Sequence, residues 1–347
     1  MAHCRRLHNS LFENFKAMSW LGIVTHNGIF AVALLFNSVA LYLIVTRSRK
    51  EIGSYKYLLI AFLCTDTVFS LVHWLCRPVL SFRDGFFVSY GEGLVDAAFA
   101  MTLYGASGSL SFPLLACHFL YRALVVSMSK RPALQQLFRS KLLAAAIAAL
   151  LVMDGATWIF FNYQLRLDPN DAAIRAKIVA THPELKNRTE MIAIVPFMDG
   201  KLNAKVARNA LPLLAIATSS FVIIVLCAWR ITNALYVRSS MSVALRNMHR
   251  RMFLALIVQM LVPSLTMFAP SVTAISLPFL PMASLDLPDW VIGLCYSLYP
   301  LLDPIVITLC IRDYRVGLLQ LLRIRRTIKV LVAQSISSDH RASGHEQ

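Results

Sequence analysis

The residues able to do chemistry are few, and most stand alone in apolar surroundings. Asp66 and Asp303 are single carboxylates within runs of aliphatic and aromatic residues, and Asp154 is equally isolated. His73, Arg77 and Asp96 flank the same kind of run, while His118 and Arg122 lie four apart near the end of another. An ionisable group in hydrocarbon costs a few kcal/mol or more, so each needs a partner or a water-filled cavity. None forms a catalytic set. Gly105-Ala106-Ser107-Gly108-Ser109 is a faint likeness of a nucleophile elbow without its closing glycine, and HExxH and Walker motifs are missing. The cysteines show no CxxC pair and no Cys/His spacing suited to a metal. No enzyme activity, cofactor or metal is expected.

The elements that must position these groups are helices in a membrane. Of 347 residues, 57% are apolar and only 15% are Asp, Glu, Lys or Arg, against roughly 45–50% and about 25% in soluble domains. Apolar runs extend over Trp20–Val45, Tyr57–Leu80, Ala97–Val126, Leu142–Phe161, Asn209–Trp229, Met252–Pro278 and Trp290–Ile311. Each is long enough to cross about 30 Å of hydrocarbon as a helix that satisfies its own backbone. The expected fold is an all-α membrane protein with seven spans, 20–311, preceded by an outer N-terminal segment, 1–19. The first run is too long for a signal-peptide core and lacks a small-residue cleavage site, so it stays as a helix.

Charge sets the expected orientation. Arg47, Arg49, Lys50 and Lys56 follow span one; Lys130, Arg131, Arg139 and Lys141 follow span three; Arg230, Arg238, Arg246, Arg250 and Arg251 follow span five. The opposite short loops carry Arg83 with Asp84 and Glu92, then Asp286 and Asp289. The positive-inside rule places the basic loops in the cytoplasm, the N-terminus outside and the C-terminus inside. Arg5, Arg6, Lys16 and the basic loop 162–208 run against this, but long loops translocate largely regardless of charge. The net charge of +16 is therefore topogenic and does not mark a nucleic-acid surface. Asn187-Arg188-Thr189 is a glycosylation sequon, usable only on the lumenal side. Beyond Ile311, Tyr314, Leu318, Leu321, Ile324, Ile328 and Leu331 recur at helical spacing opposite Arg315, Arg326 and Lys329. That pattern predicts an amphipathic eighth helix over 312–334 lying against membrane lipids. The polar, serine-rich tail 335–347 is expected to be disordered.

Helical spacing then groups the candidates. Outward from Arg122, one face of span three carries His118, Leu115, Ser111, Gly108, Tyr104 and Met101. Met101, Tyr104 and Gly108 line a small-molecule pocket on this reading, or serve helix packing. His73, Arg77, Asp96 and Asp154 lie close enough to recognise a polar ligand group, or to form structural ion pairs, Arg77 with Asp96 among them. Arg122 is either a coupling residue whose guanidinium reaches backbone carbonyls of a partner helix, or an anchor in the headgroups. Asn37 is a possible hydrogen-bond partner for Asp66 and Asp303. Pro263 and Pro270 mark kinks in span six, static or hinge-like.

Four short motifs occur in order between about Asn27 and Arg315. They are Ile52-Gly53-Ser54-Tyr55-Lys56-Tyr57; His118-Phe119-Leu120-Tyr121-Arg122; Met248-His249-Arg250-Arg251-Met252-Phe253, leading to Gln259 and Pro263; and Tyr299-Pro300-Leu301-Leu302-Asp303-Pro304, followed by Asp313-Tyr314-Arg315. Together they resemble the nematode serpentine chemoreceptors of the Str superfamily. The resemblance implies a G-protein-coupled chemosensory receptor in the plasma membrane of a sensory cilium. Its partners would be a small, often volatile ligand and a heterotrimeric G protein. It implies coupling through Tyr121, Arg122, His249, Arg250, Arg251, Tyr314 and Arg315, and a polar core of Asn37, Asp66, Tyr299 and Asp303. Two features depart from it: Ala123 stands where many members have an aromatic, and the long outer loop has no cysteine to bridge to span three. Cys4 with Cys76 is the alternative bridge. A second class of function, a small-solute transporter or channel using Asp66 and Asp303, would favour an internal repeat, and none is seen.

Overall fold

Seven helices in the computed structural model are long and apolar enough to cross a membrane: Val24–Arg47, Tyr55–Cys76, Ala98–Val126, Ala144–Gln164, Ala204–Tyr236, His249–Phe279 and Val291–Cys310. The structure describes residues 2–48, 55–95, 98–127, 141–168, 170–188, 190–237, 243–280 and 289–322. Arg49, Lys50, Lys130, Arg131, Arg139, Arg238, Asp96 and the expected eighth helix beyond residue 322 therefore lie outside the described residues. Within them, residues 312–322 are helical. This segment sits close to the first span, where a Cβ at Gly317 would stand 2.8 Å from Leu43 Cδ2.

Prolines explain the irregularities of the spans. Pro113 offers no N–H to the carbonyl of Ser109, and the third span breaks between Ala98–Ser109 and Ser111–Ser127. Pro263 and Pro270 bracket a π-helical turn, Ser264–Phe268, in the sixth span. The seventh span carries Pro300 and Pro304 without interruption. Pro304 has no N–H for the carbonyl of Pro300, and Asn37 Nδ2 supplies the missing donor at 2.8 Å. Asn37 also bonds Ala33 O at 2.9 Å. Its role is thus to satisfy the seventh span's backbone, and the expected bond to Asp66 or Asp303 is absent among the described contacts.

The second span ends at Cys76, short of the expected Leu80, because the chain turns into a β-hairpin. Strands β1 (Pro78–Arg83) and β2 (Phe86–Gly91) pair antiparallel, with Arg83 opposite Phe86. Asp84 and Gly85 form the two-residue turn with φ of 49° and 75°, the positive values such a hairpin requires. Strand β3 (Ile192–Ile194), from the long loop, pairs with β2. Alternation gives the sheet two buried faces. Leu80, Phe82, Phe87, Ile192 and Ile194 turn to the helix bundle, whereas Phe86, Val88, Tyr90 and Ala193 join a small core with Ile178, Leu185 and Met191 from the long loop. The short helix Ala172–Thr181 supplies Ile178. Ser81 and His182, both fully buried, hydrogen-bond at 2.7 Å across that second core. Glu190 accepts from Ala98 N at 3.1 Å and ties the loop to the start of the third span.

Candidate functional site

Under the sheet lies a cavity of about 90 Å³. One face of the third span supplies Met101, Tyr104, Gly105, Gly108, Ser109 and Phe112. Phe69 comes from the second span, Trp158 and Asn162 from the fourth, Leu213 from the fifth, Met267, Ser271, Ala274 and Ile275 from the sixth, and Tyr296 from the seventh. Leu80, Phe87, Ser89, Ile192 and Ile194 form the roof. Glycine makes two of these contacts possible. A Cβ at Gly105 would stand 2.5 Å from Asn162 Nδ2, and one at Gly108 would stand 2.8 Å from Met267 Cε.

Met101, Tyr104 and Gly108 therefore share one cavity wall, as their spacing predicts. The ionisable candidates stand behind that wall. His73 Nδ1 meets Tyr104 OH at 3.2 Å, and its Nε2 meets Ser297 Oγ at 2.9 Å. Asp154 accepts from Ser109 Oγ at 3.1 Å. Arg77 lies past the end of the second span in a left-handed conformation, φ 42°, away from the cavity. Its expected partner, Asp96, is outside the described residues. Cys76 is a free thiol, donating to Ala100 O at 3.6 Å. Asn187 is exposed in a turn at the sheet end of the bundle.

The sequence reading missed Trp158 and Asn162. Both lie on the face of the fourth span that Asp154 marks, at steps of four, so the helical rule applied to the third span also finds them here. It also missed the roof, whose signal is Asp84-Gly85 between two apolar, β-prone runs.

Midway along the bundle, Tyr299 OH donates to Asp66. Asp66 and Asp303 are fully buried and lie within hydrogen-bonding reach of one another. A line of aromatic contacts joins this layer to the cavity. The Tyr104 ring stacks on Phe69 at 5.4 Å, and Phe69 meets Tyr299 edge-on at 5.8 Å.

At the far end, Arg122 is buried with its guanidinium 4.1 Å above the ring of Tyr55. The Tyr55 hydroxyl meets His118 Nδ1 at 3.2 Å, and His118 Nε2 meets Leu58 O at 3.2 Å. Tyr121 stacks on Tyr55 at 5.7 Å. His249 is buried within electrostatic reach of Arg122, while Arg250 and Arg251 are exposed and Arg250 lies over Tyr236 at 5.4 Å. Tyr314 departs from its expected place on a coupling surface. It is 1% exposed, with its hydroxyl 2.8 Å from Ser48 Oγ, so it anchors residues 312–322 to the first span and offers a partner no surface. That burial pushes its phenol above the ordinary value. Arg315 beside it is exposed.

Comparison with known proteins gives one consistent match. The profile of the serpentine type 7TM GPCR chemoreceptor Str family covers residues 22–319. The chain is 27% identical over 315 residues to serpentine receptor class r-10 of Caenorhabditis elegans, covering 85% of this chain and 90% of that one. It is 25% identical over 314 residues to the Caenorhabditis briggsae protein of the same name, covering 85% of this chain and 89% of that one. The C. elegans G-protein coupled receptor str-33 is 22% identical over 310 residues, covering 84% and 88%.

Proposed function

The chain belongs to the serpentine Str family of seven-transmembrane chemoreceptors, and from that premise we propose that it binds a small ligand in the roofed cavity and activates a heterotrimeric G protein at the Arg122 end. It is an integral membrane protein of the G-protein-coupled receptor type. The observation that carries the reading is the cavity itself. It is apolar, lies under a buried sheet, and is built from six of the seven spans, so its occupant touches every helix that a receptor must rearrange. The Arg122 end is the cytoplasmic one on this reading, because the short basic loops belong there and the sequon of Asn187 lies at the other end. Ligand would favour the state in which that end opens and Arg122, with His249, Arg250, Arg251 and Arg315 around it, meets the G protein.

Nucleotide exchange on purified Gα, driven by membranes carrying the chain and pools of volatile ketones, alcohols, aldehydes and acids, tests this. Exchange that depends on ligand and disappears in Arg122→Ala at equal surface display is the expected result. Wild-type exchange in Arg122→Ala would remove Arg122 from coupling. No exchange with any Gα from well-displayed protein would refute the receptor reading.

A further inference from the structure

We propose that Trp158 is the hydrogen-bond donor that recognises the ligand, and that the ligand is an uncharged molecule bearing a hydrogen-bond acceptor. The inference rests on the cavity being the ligand site.

The wall is selective in what it lacks and in what it leaves unmet. No Asp, Glu, Lys, Arg or His lines it among the described residues, so a charged ligand would enter without a counter-ion. Most of its polar groups are engaged already. Ser109 Oγ has Ala106 O at 2.8 Å and Asp154 at 3.1 Å as acceptors for its one hydrogen, Ser271 and Tyr296 hydroxyls meet at 2.8 Å, and Tyr104 OH is with His73. Trp158 differs. It lines the cavity, is 6% exposed, and its Nε1 is buried without a hydrogen-bond partner among the described residues. An indole N–H can only donate, and a buried donor left unmet is costly. An acceptor on the ligand relieves that cost, whereas a hydrocarbon of the same shape would retain it. The space, about 90 Å³, is smaller than the cavity of about 150 Å³ that takes benzene, which suits an occupant of roughly five non-hydrogen atoms.

The test uses the full chain in nanodiscs and four probes of that size. Butan-2-one and 2-methylbut-1-ene differ only in =O for =CH2, and butanoate and butylammonium carry the charges. Ligand-observed NMR, corrected with empty nanodiscs, gives the affinities. The chain has five tryptophans, so ¹⁵N-labelled indoles give few peaks, and the one missing in Trp158→Phe is that of Trp158. Butan-2-one is expected to bind about tenfold more tightly than the alkene and to move the Trp158 peak downfield. In Trp158→Phe the preference should be lost or reversed in favour of the alkene, because the ketone then buries its carbonyl without a donor. Equal binding of the pair to the wild type, with that peak unmoved, overturns the role of Trp158 and leaves the cavity as a ligand site. Tighter binding of either charged probe overturns the uncharged class. Binding by none of the four would overturn the cavity reading, and the inference with it. The comparison within the wild type stands even if the variant fails to fold.

Discussion

Replacing Tyr55 by leucine should switch the receptor on without ligand. Arg122 is buried beneath the Tyr55 ring, with 4.1 Å between the guanidinium carbon and the ring centroid. The described residues offer it no carboxylate within ion-pair distance. A desolvated cation–π contact is worth about 2 kcal/mol. If the contact exists only in the resting state, its loss multiplies the active-to-resting ratio by about 30, because each 1.36 kcal/mol is tenfold. A resting excess of about 100 to 1 would then fall to about 3 to 1, raising basal activity from about 1% to about a quarter of maximum. The assay is basal nucleotide exchange on Gα in membranes, without added ligand and with surface display matched. Tyr55→Phe separates the ring from the hydroxyl, since it keeps the ring face and loses the hydroxyl that meets His118 at 3.2 Å and also bonds Arg122. Its basal rate should stay near wild type. Tyr55→Leu with exchange at or below wild type would refute the reasoning and leave Arg122 restrained elsewhere. An equal rise in both variants would transfer the restraint from the ring to the hydroxyl.

Gly108→Ala should shrink the cavity, because the new methyl would stand 2.8 Å from Met267 Cε and 3.1 Å from Phe69 Cε2. Overpacking of this kind costs about 1–3 kcal/mol, so a homologous series of ketones in the exchange assay should shift toward its shorter members, and an unchanged size profile would count against the cavity as the site. Asn37→Leu removes the donor to Pro300 O at 2.8 Å and should lower thermal stability by about 1–3 kcal/mol for an unmet buried carbonyl; an unchanged Tm in detergent would mean that water replaces Asn37. Tyr299→Phe keeps the edge contact with Phe69 and loses the donor to Asp66, so probe binding should persist while ligand-driven exchange falls; exchange at wild-type level would separate the polar layer from signalling. Asn187 should carry an endoglycosidase-sensitive glycan in a eukaryotic host, lost in Asn187→Gln, and protease access to that loop only from the cytosolic side would reverse the orientation.

The spans were legible because hydropathy over twenty residues leaves a helix few alternatives, and the observed boundaries follow the expected runs except in the fifth span, which runs Ala204–Tyr236 where Asn209–Trp229 was expected, and at Leu80. The exception at Leu80 has a physical cause. Leu80, Phe82 and Phe87 are buried against the bundle and Phe86, Val88 and Tyr90 against the loop core, so neither strand shows the alternation of a half-exposed sheet. A strand buried on both faces reads as the end of an apolar span, and only the Asp84-Gly85 turn betrays it. The third-span face was equally legible, since Met101, Tyr104 and Gly108 need only helical spacing to share a wall. The ionisable residues misled for a related reason. Charge draws attention in an apolar run, yet His73 and Asp154 sit one shell behind the cavity, holding Tyr104 and Ser109, while the wall itself is Trp158, Asn162 and Tyr296. Tyr314 misled because a motif records that a residue is present and says nothing of which way it faces.

The seventh span is where cavity and polar layer meet. Within one stretch it places Tyr296 in the cavity wall, Ser297 on His73, Tyr299 on Asp66, the Pro300 carbonyl on Asn37 and Asp303 against Asp66. Pro300 and Pro304 remove two of its own backbone donors, so the helix is held there by its neighbours more than by itself. Such a segment exchanges one set of side-chain contacts for another at little cost in helix hydrogen bonds, which is the property a two-state element needs. A ligand against Tyr296 biases that exchange only as far as it binds one arrangement more tightly. A small occupant has few atoms with which to do so, and the contacts that it changes must be ones the resting state leaves poorly satisfied. The unmet donor of Trp158 at the cavity is such a contact. Other buried polar atoms without a hydrogen-bond partner among the described residues, on Arg122, His249 and Gln259, lie elsewhere in the structure, so the cavity is one such place among several.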